Sequence, residues 1–139
     1  VLFICLGNTC RSPMAEAIAR GIGGDRVVAY SAGLTPTGRV ASETFNALRR
    51  RGYPTAGLRS KGLEDVPLEE MDVIVSLVGG DGLRLLPTRL SAHRLAWSIR
   101  DPYGDDDTVY DAVARRLEVQ VRGLLDELLR SPLRRSGHS

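Results

Sequence analysis

The chain has 139 residues, 42% hydrophobic and 26% charged, which fits one folded domain with a buried core and excludes a disordered segment. Nineteen basic residues against 17 acidic leave a formal net charge of +2, too small a surplus to make nucleic acid the expected partner. No apolar run approaches the roughly 20 residues that cross a bilayer, and the opening Val1-Leu2-Phe3-Ile4 lacks the basic flank and small-residue cleavage site of a secretory signal. A cytoplasmic monomer with no membrane partner is expected.

Two cysteines do not make a disulfide framework. The spacing Cys5-x4-Cys10 matches no common zinc pattern, and only His93 and His138 could complete a site. No metal and no cofactor are expected. Neither repeats nor a Pro/Gly/Ser-rich linker divide the sequence, so residues 1–130 read as a single domain and 131–139, with no apolar periodicity, as a flexible C-terminal tail.

In chain order, Val1 to Ile4 is a short continuous apolar run, the pattern of a strand buried on both faces. Ser12-Pro13 opens a helix, with Ser12 at the N-cap and Pro13 in the first turn, and Gly21 to Gly24 close it. Arg26 to Ser31 reads as a second strand ending at Ala32-Gly33. A helix from about Ala41 to Arg51 is stopped by Gly52 and Pro54. Met71 to Leu77 is a third strand and Arg94 to Ile99 a fourth. Asp105-Asp106-Asp107-Thr108 starts the last helix, where Tyr110, Val113, Ala114, Leu117, Val121, Leu124, Leu125 and Leu128 recur at helical spacing. This alternation predicts an α/β domain: a four-stranded parallel sheet with helices on both faces and a phosphate-binding loop after the first strand.

That loop, Cys5-Leu6-Gly7-Asn8-Thr9-Cys10-Arg11-Ser12, joins a strand end to a helix N-terminus, where unpaired N–H groups and the helix dipole favour an anion. Gly7 and Asn8 tolerate left-handed backbone that turns successive N–H groups inward, and Arg11 adds a planar fork for an oxyanion. The same donors favour the thiolate of Cys5. The nucleotide-binding pattern G-x-x-x-x-G-K-[ST] is absent. A buried structural Cys5 is the plain alternative, and the Cys-x5-Arg-Ser frame between strand and helix weighs against it. Asp105 to Asp107 suit a helix start better than a metal. His93 and Trp97 read as structural, and Arg49 to Arg51 as a solvated helix face.

Cys-Leu-Gly-Asn-Thr-Cys-Arg-Ser-Pro-Met-Ala-Glu, followed by Ser31-Ala32-Gly33, Asp72-Val73-Ile74-Val75 and Asp101-Pro102-Tyr103, resembles the low-molecular-weight protein tyrosine phosphatases and their arsenate reductase relatives along nearly the whole chain. The resemblance implies Cys5 as nucleophile, Arg11 as phosphate clamp and Asp101 as general acid. It also implies Leu6 to Ser12 as the phosphate cradle, Tyr103 as a pocket wall, and Asn8, Ser12 and Ser31 as supports of the loop. Phosphate or arsenate would sit in the cradle, and a phosphorylated protein would be the substrate.

The resemblance leaves the reaction open. A phosphatase would form a phosphocysteine on Cys5. Thioredoxin-coupled reductases carry two further cysteines after the third strand, where this chain has Val78-Gly79-Gly80-Asp81-Gly82; a reductase drawing on an external thiol is the alternative. The stretch from Leu77 to Pro87 is somewhat similar to the reductases, whereas Tyr103 favours a phosphatase. Thr9 is similar to the protein arginine phosphatases, the loop after Gly33 lacks the Trp of many tyrosine-specific members, and Leu58 replaces a His that supports Asn8. A binding module without turnover would have lost Cys5, Arg11 or Asp101, and all three are present. Cys10 is either a small packing residue or a partner for oxidised Cys5, should their Cα atoms lie within about 7 Å.

Overall fold

The computed structural model describes residues 1–130, so the expectation of a flexible tail at 131–139 concerns residues outside it. Four strands, β1 (Leu2–Cys5), β2 (Tyr30–Gly33), β3 (Val73–Ser76) and β4 (His93–Ala96), form one parallel sheet in the order β2-β1-β3-β4. The helices are α1 (Arg11–Gly23), α2 (Ser42–Arg50), the single turn α3 (Gly80–Leu83) and α4 (Asp107–Arg130). The strand order reverses beside β1, so the loop that leaves its carboxyl end opens at the switch point where such sheets bind ligands.

Side-chain alternation divides the sheet between two cores. Phe3, Cys5, Val73 and Val75 join α1, α2 and α4 in the larger one. Leu2, Ile4, Ala32 and Ile74 enter the smaller one, with Val66, Met71, Leu86 and Leu90. Both faces carry helical segments, but unequally: the long helices share one face, and the other is covered by α3 and by short 3-10 turns at Leu63–Asp65 and Leu68–Glu70. The apolar stripe of α4 is buried as its periodicity predicts, with Leu128 partly buried at its end.

The element boundaries move where hydrogen bonding overrides pattern. β2 starts at Tyr30, because a 3-10 turn takes Gly24–Arg26 and Val28 is exposed; the ladder opens at Leu2↔Tyr30, preceded by the Val1 ammonium donating to the Val28 carbonyl (2.9 Å). β4 ends at Ala96, where the regular parallel ladder gives way to looser pairing: the Trp97 N–H donates to Ser76 (2.8 Å), the Gly79 N–H to Trp97 (3.1 Å) and the Ile99 N–H to Leu77 (3.3 Å), around an antiparallel bridge between Val78 and Ser98. The turn α3 was hidden from pattern by its two glycines. Gly82 is required there, since a Cβ would lie 2.4 Å from Ser76 Oγ. Asp106 accepts from the Val109 N–H (3.2 Å) and Asp105 pairs with Arg100 (3.4 Å), so the acidic run at 105–107 is engaged at the start of α4. His93 opens the edge strand and is exposed, while Trp97 packs 6.1 Å from Phe3.

The end of α2 is fastened to α4 by a polar cluster. Arg51 Nε donates to Glu118 Oε2 (3.0 Å), its Nη2 bonds Oε1, and Tyr53 Oη donates to Oε2 (2.5 Å). The Arg51 hydrogen bond holds the Glu118 carboxyl below its ordinary pKa, while burial and Glu118 push Tyr53 up to about 12. A depressed carboxylate contributes stability above its unfolded pKa and loses it as pH falls through the folded value. Glu118→Gln is therefore expected to destabilise the protein near pH 7, with the difference from the parent shrinking below about pH 4.5. Urea unfolding at a series of pH values measures this, and a constant difference down to pH 3 would refute it. In the core, Leu117→Ala is expected to cost about 2–5 kcal/mol in the same assay.

Candidate active site

β1 delivers Cys5 to the sheet edge, and residues 5–11 curl back into α1. Asn8 is the one non-glycine with positive φ (52°) among the described residues, the left-handed backbone anticipated for this loop. The carbonyls of the loop are held from outside. Leu34 N–H donates to Cys5 (3.0 Å), Thr35 to Leu6 (2.8 Å), Thr37 to Gly7 (3.1 Å) and Ala41 to Thr9 (3.0 Å). Ser60 Oγ gives Gly7 a second bond (3.0 Å), and Thr44 Oγ1 does the same for Thr9 (3.3 Å). With its carbonyls tied outward, the loop can turn its N–H groups to the concave side, as an anion nest requires.

Cys5 Sγ lies 2.9 Å from Ser12 Oγ, and Asn8 Nδ2 donates to the same hydroxyl (2.7 Å). The helix begins two residues earlier than expected, at Arg11, with Cys10 at the N-cap and no side-chain cap. Ser12 therefore does not cap α1; its hydroxyl is committed to Cys5 and Asn8. Arg11 donates through Nη1 to the Ile99 carbonyl (3.0 Å), and its Nη2 is 3.6 Å from Asp101 Oδ2. Asp101, half exposed, accepts the Tyr103 N–H on Oδ1 (3.1 Å), and a turn closed by Asp105 N–H on Pro102 completes the acid segment. Cys5, Leu6, Thr9, Arg11, Asp101 and Tyr103 border one cleft of about 440 Å³, which Gly7, Cys10, Thr35 and Thr37 complete.

Of the expected supports, Asn8 and Ser12 are bonded within the loop, whereas Ser31 turns to Glu16. Ser31 Oγ donates to Glu16 Oε1 (2.5 Å), not to Asn8. Asn8 is nonetheless fully buried and satisfied without a histidine at 58, because its Oδ1 accepts the Lys61 N–H (2.9 Å). Lys61 also accepts the Gly33 N–H on its carbonyl (2.8 Å), and its ammonium lies 3.6 Å from Glu16, which Arg20 also pairs. Burial lowers the Lys61 pKa, against the attraction of Glu16. Pattern reading missed Ser60, Lys61 and Glu16 as residues that hold the loop. The available signals were the lone lysine among nineteen basic residues and a glutamate set among the alanines of an apolar helix start.

Thr9 Oγ1 is engaged with Thr37 Oγ1 (2.8 Å) and the Gly7 carbonyl (3.3 Å), tying the phosphate loop to the 35–39 wall. Both cysteines are free thiols. Cys10 Sγ contacts Tyr110 Oη (3.4 Å), and burial raises the pKa of Cys10, which suits packing better than attack on an oxidised Cys5.

A strand, a tightly turned anion loop and a helix, with a thiol at one end of the loop and a guanidinium at the other, are the parts of an oxyanion-binding site. The family model described as "Low molecular weight phosphotyrosine protein phosphatase" matches residues 1–134, and the chain belongs to that family. The family's relatives of this chain include both phosphatases and arsenate reductases. A glutaredoxin arsenate reductase of Synechocystis sp. is 29% identical over 92% of this chain and 97% of its own length. An arsenate reductase of Halalkalibacterium halodurans is 30% identical over 87% and 88%. Among solved structures, an arsenate reductase in the phosphate binding state superposes with a TM-score of 0.81 (28% identity; 91% of this chain, 95% of that one). The low molecular weight protein tyrosine phosphatase of T. tengcongensis does so at 0.80 (27%; 91% and 97%).

Gly33 is the closest packing point under the loop, because a Cβ there would sit 2.9 Å from both Asn8 N and Leu6 O. Gly33→Ala is expected to displace the loop and weaken inorganic phosphate binding at least tenfold by calorimetric titration. Lys61→Met should weaken it in the same direction, by leaving Glu16 with one cation fewer and freeing the 60–62 segment. Unchanged phosphate affinity in both variants would show that the loop holds its shape without these contacts.

Proposed function

We propose that this protein is a phosphomonoester hydrolase acting on phosphoproteins through a phosphocysteine on Cys5. Phosphotyrosine is the leading substrate; phosphoarginine, a phosphoramidate in which the P–N bond would break and Asp101 would protonate the guanidino nitrogen, is a second one suggested by Thr9. The observation that carries the proposal is the Asp101 carboxyl beside the anion loop, 3.6 Å from the Arg11 guanidinium, on a segment pinned through Ile99.

The Cys5 thiolate attacks phosphorus, an S–P bond forms, and the bond to the leaving oxygen breaks as Asp101 gives that oxygen its proton. Ser12, 2.9 Å away, stabilises the sulfur as a thiolate before attack and after release. Water then attacks the phosphocysteine, losing its proton to the Asp101 carboxylate; the S–P bond breaks and phosphate leaves. Arg11 and the loop N–H groups carry the charge of the transferring group through both steps. Tyr103, at the cleft rim, supplies a flat wall for an aryl leaving group.

Arsenate reduction is the second reading, favoured by the arsenate reductases among the relatives. Cys5 would attack arsenate in the same cradle, and the two electrons would come from external thiols oxidised to a disulfide. Cys5 and Cys10 are the only cysteines of the chain, and Cys10 is held against Tyr110.

Turnover of phosphotyrosine, phosphoarginine and arsenate with glutathione on one purified sample separates the readings. Cys5→Ser should abolish hydrolysis while leaving a folded protein that binds phosphate. Asp101→Asn should slow poor leaving groups by about 10²–10⁴-fold and activated aryl phosphates much less. An equal loss across leaving groups would assign Asp101 to positioning, and arsenate turnover without phosphoester hydrolysis would replace the proposal by the second reading.

A further inference from the structure

The catalytic cleft is not the largest hollow on its face. Beyond the Thr9–Thr37 hydroxyl pair lies a second chamber of about 600 Å³, which shares Thr9, Thr37 and Tyr103 with the cleft. Its far side is formed by Arg39, Glu43, Phe45 and Tyr110. A phosphate or arsenate ion needs only the cleft. The second chamber therefore has a use only if the substrate continues past its phosphoryl group.

The rim points to a macromolecule. Leu6 is 57% exposed and Tyr103 68% exposed, two large apolar side chains placed at the mouth where solvent contact is unfavourable. The chamber itself is mixed in character, with an aromatic floor and charges. Phe45 carries the Arg49 guanidinium 5.4 Å from its ring centre, outside the lining, and the exposed Arg39 is the lining's own cation. Glu43 is the single anion of the lining and accepts the Ser42 hydroxyl (3.2 Å), whereas the Arg39 guanidinium has no partner among the described residues and is free to meet an acidic group. Arg39 is anchored by its backbone, through its N–H and its carbonyl to Thr37 Oγ1 (3.4 and 3.2 Å), which leaves the guanidinium out of the loop's own bonding.

We propose that the second chamber is a substrate subsite for the polypeptide that flanks the phosphorylated residue. The chain crosses the Thr9–Thr37 sill, and an acidic side chain meets Arg39. This rests on the phosphatase reading above and narrows it to phosphoproteins with acidic residues near the phosphorylated site.

The test uses three substrates: p-nitrophenyl phosphate, a phosphotyrosyl peptide with aspartates on both sides of the phosphotyrosine, and its twin with lysines. In the parent protein kcat/KM should be at least tenfold higher for the aspartate peptide than for p-nitrophenyl phosphate, and higher than for the lysine peptide. Arg39→Glu should lower kcat/KM for the aspartate peptide about two- to fivefold, the range of an exposed ion pair, and raise it for the lysine peptide. The aryl phosphate, which occupies only the cleft, should be unaffected. Arg26→Glu, an equal charge change at the opposite end of the sheet, controls for overall charge and should alter none of the three ratios. The subsite is overturned if aryl phosphate and peptides are hydrolysed alike, or if Arg39→Glu and Arg26→Glu act equally. Failure to hydrolyse any of the three would instead bring down the phosphatase reading on which the subsite rests.

Discussion

The outward fastening of the loop carbonyls at residues 5, 6, 7 and 9 is the constraint on which the site depends. A peptide unit has its C=O and N–H on opposite sides, so a carbonyl tied outward presents its amide to the concave face. Six hydrogen bonds from residues 34–44 and 60 hold those four carbonyls. Such a loop is costly to form alone, because Asn8 occupies the left-handed region and the amides lose water. The surrounding chain supplies the compensation, and the order exists before any anion arrives. Preorganised donors of this kind can stabilise developing charge without rearranging during the reaction.

The fastening chain is itself fixed by a buried charge. Glu16 is 1% exposed, and an isolated carboxylate there would cost several kcal/mol of lost hydration. Ser31, Arg20 and Lys61 surround it, drawing β2, α1 and the 59–62 segment to one point. Its value lies in registration more than in net stability, since a buried pair rarely outperforms an apolar one of equal volume. Here the register sets where the Lys61 N–H meets Asn8, and Asn8 in turn sets Ser12 and the Cys5 sulfur.

Phosphatase and reductase chemistry place the same demand on this cradle and differ outside it. Phosphoester cleavage needs a proton for the leaving oxygen, and Asp101, 3.6 Å from Arg11 at the cleft, is the carboxyl proposed to supply it. Arsenate reduction needs two electrons, and Cys10 is poorly suited to supply them while it is buried against Tyr110. A leaving group attached to a polypeptide also gives purpose to the exposed Leu6, Tyr103 and Arg39, which an inorganic oxyanion would leave uncontacted.

Short-range chemistry was legible in the sequence. The apolar runs of β1 and β3, the stripe of α4 and the loop from Cys5 to Ser12 follow from residue type and local spacing, and Asn8 adopts the backbone its side chain permits. Relations across the chain were not, because no local pattern records which residue a hydrogen bond will reach. Ser12 resembles a helix cap until Cys5 and Asn8 are brought to it, and Ser31 resembles a loop support until Glu16 takes its proton donor. Leu58 offers Asn8 no side-chain partner, but the sheet places the backbone of Lys61 there instead, 53 residues away along the chain. The sequence alone determined the strand–loop–helix frame and pointed to Cys5, Asp101 and Arg11 as the residues of the proposed chemistry. Only the tertiary structure decided what holds that frame rigid and what lies beyond the Thr9–Thr37 sill, since both are made by side chains and backbone that meet only when the sheet closes.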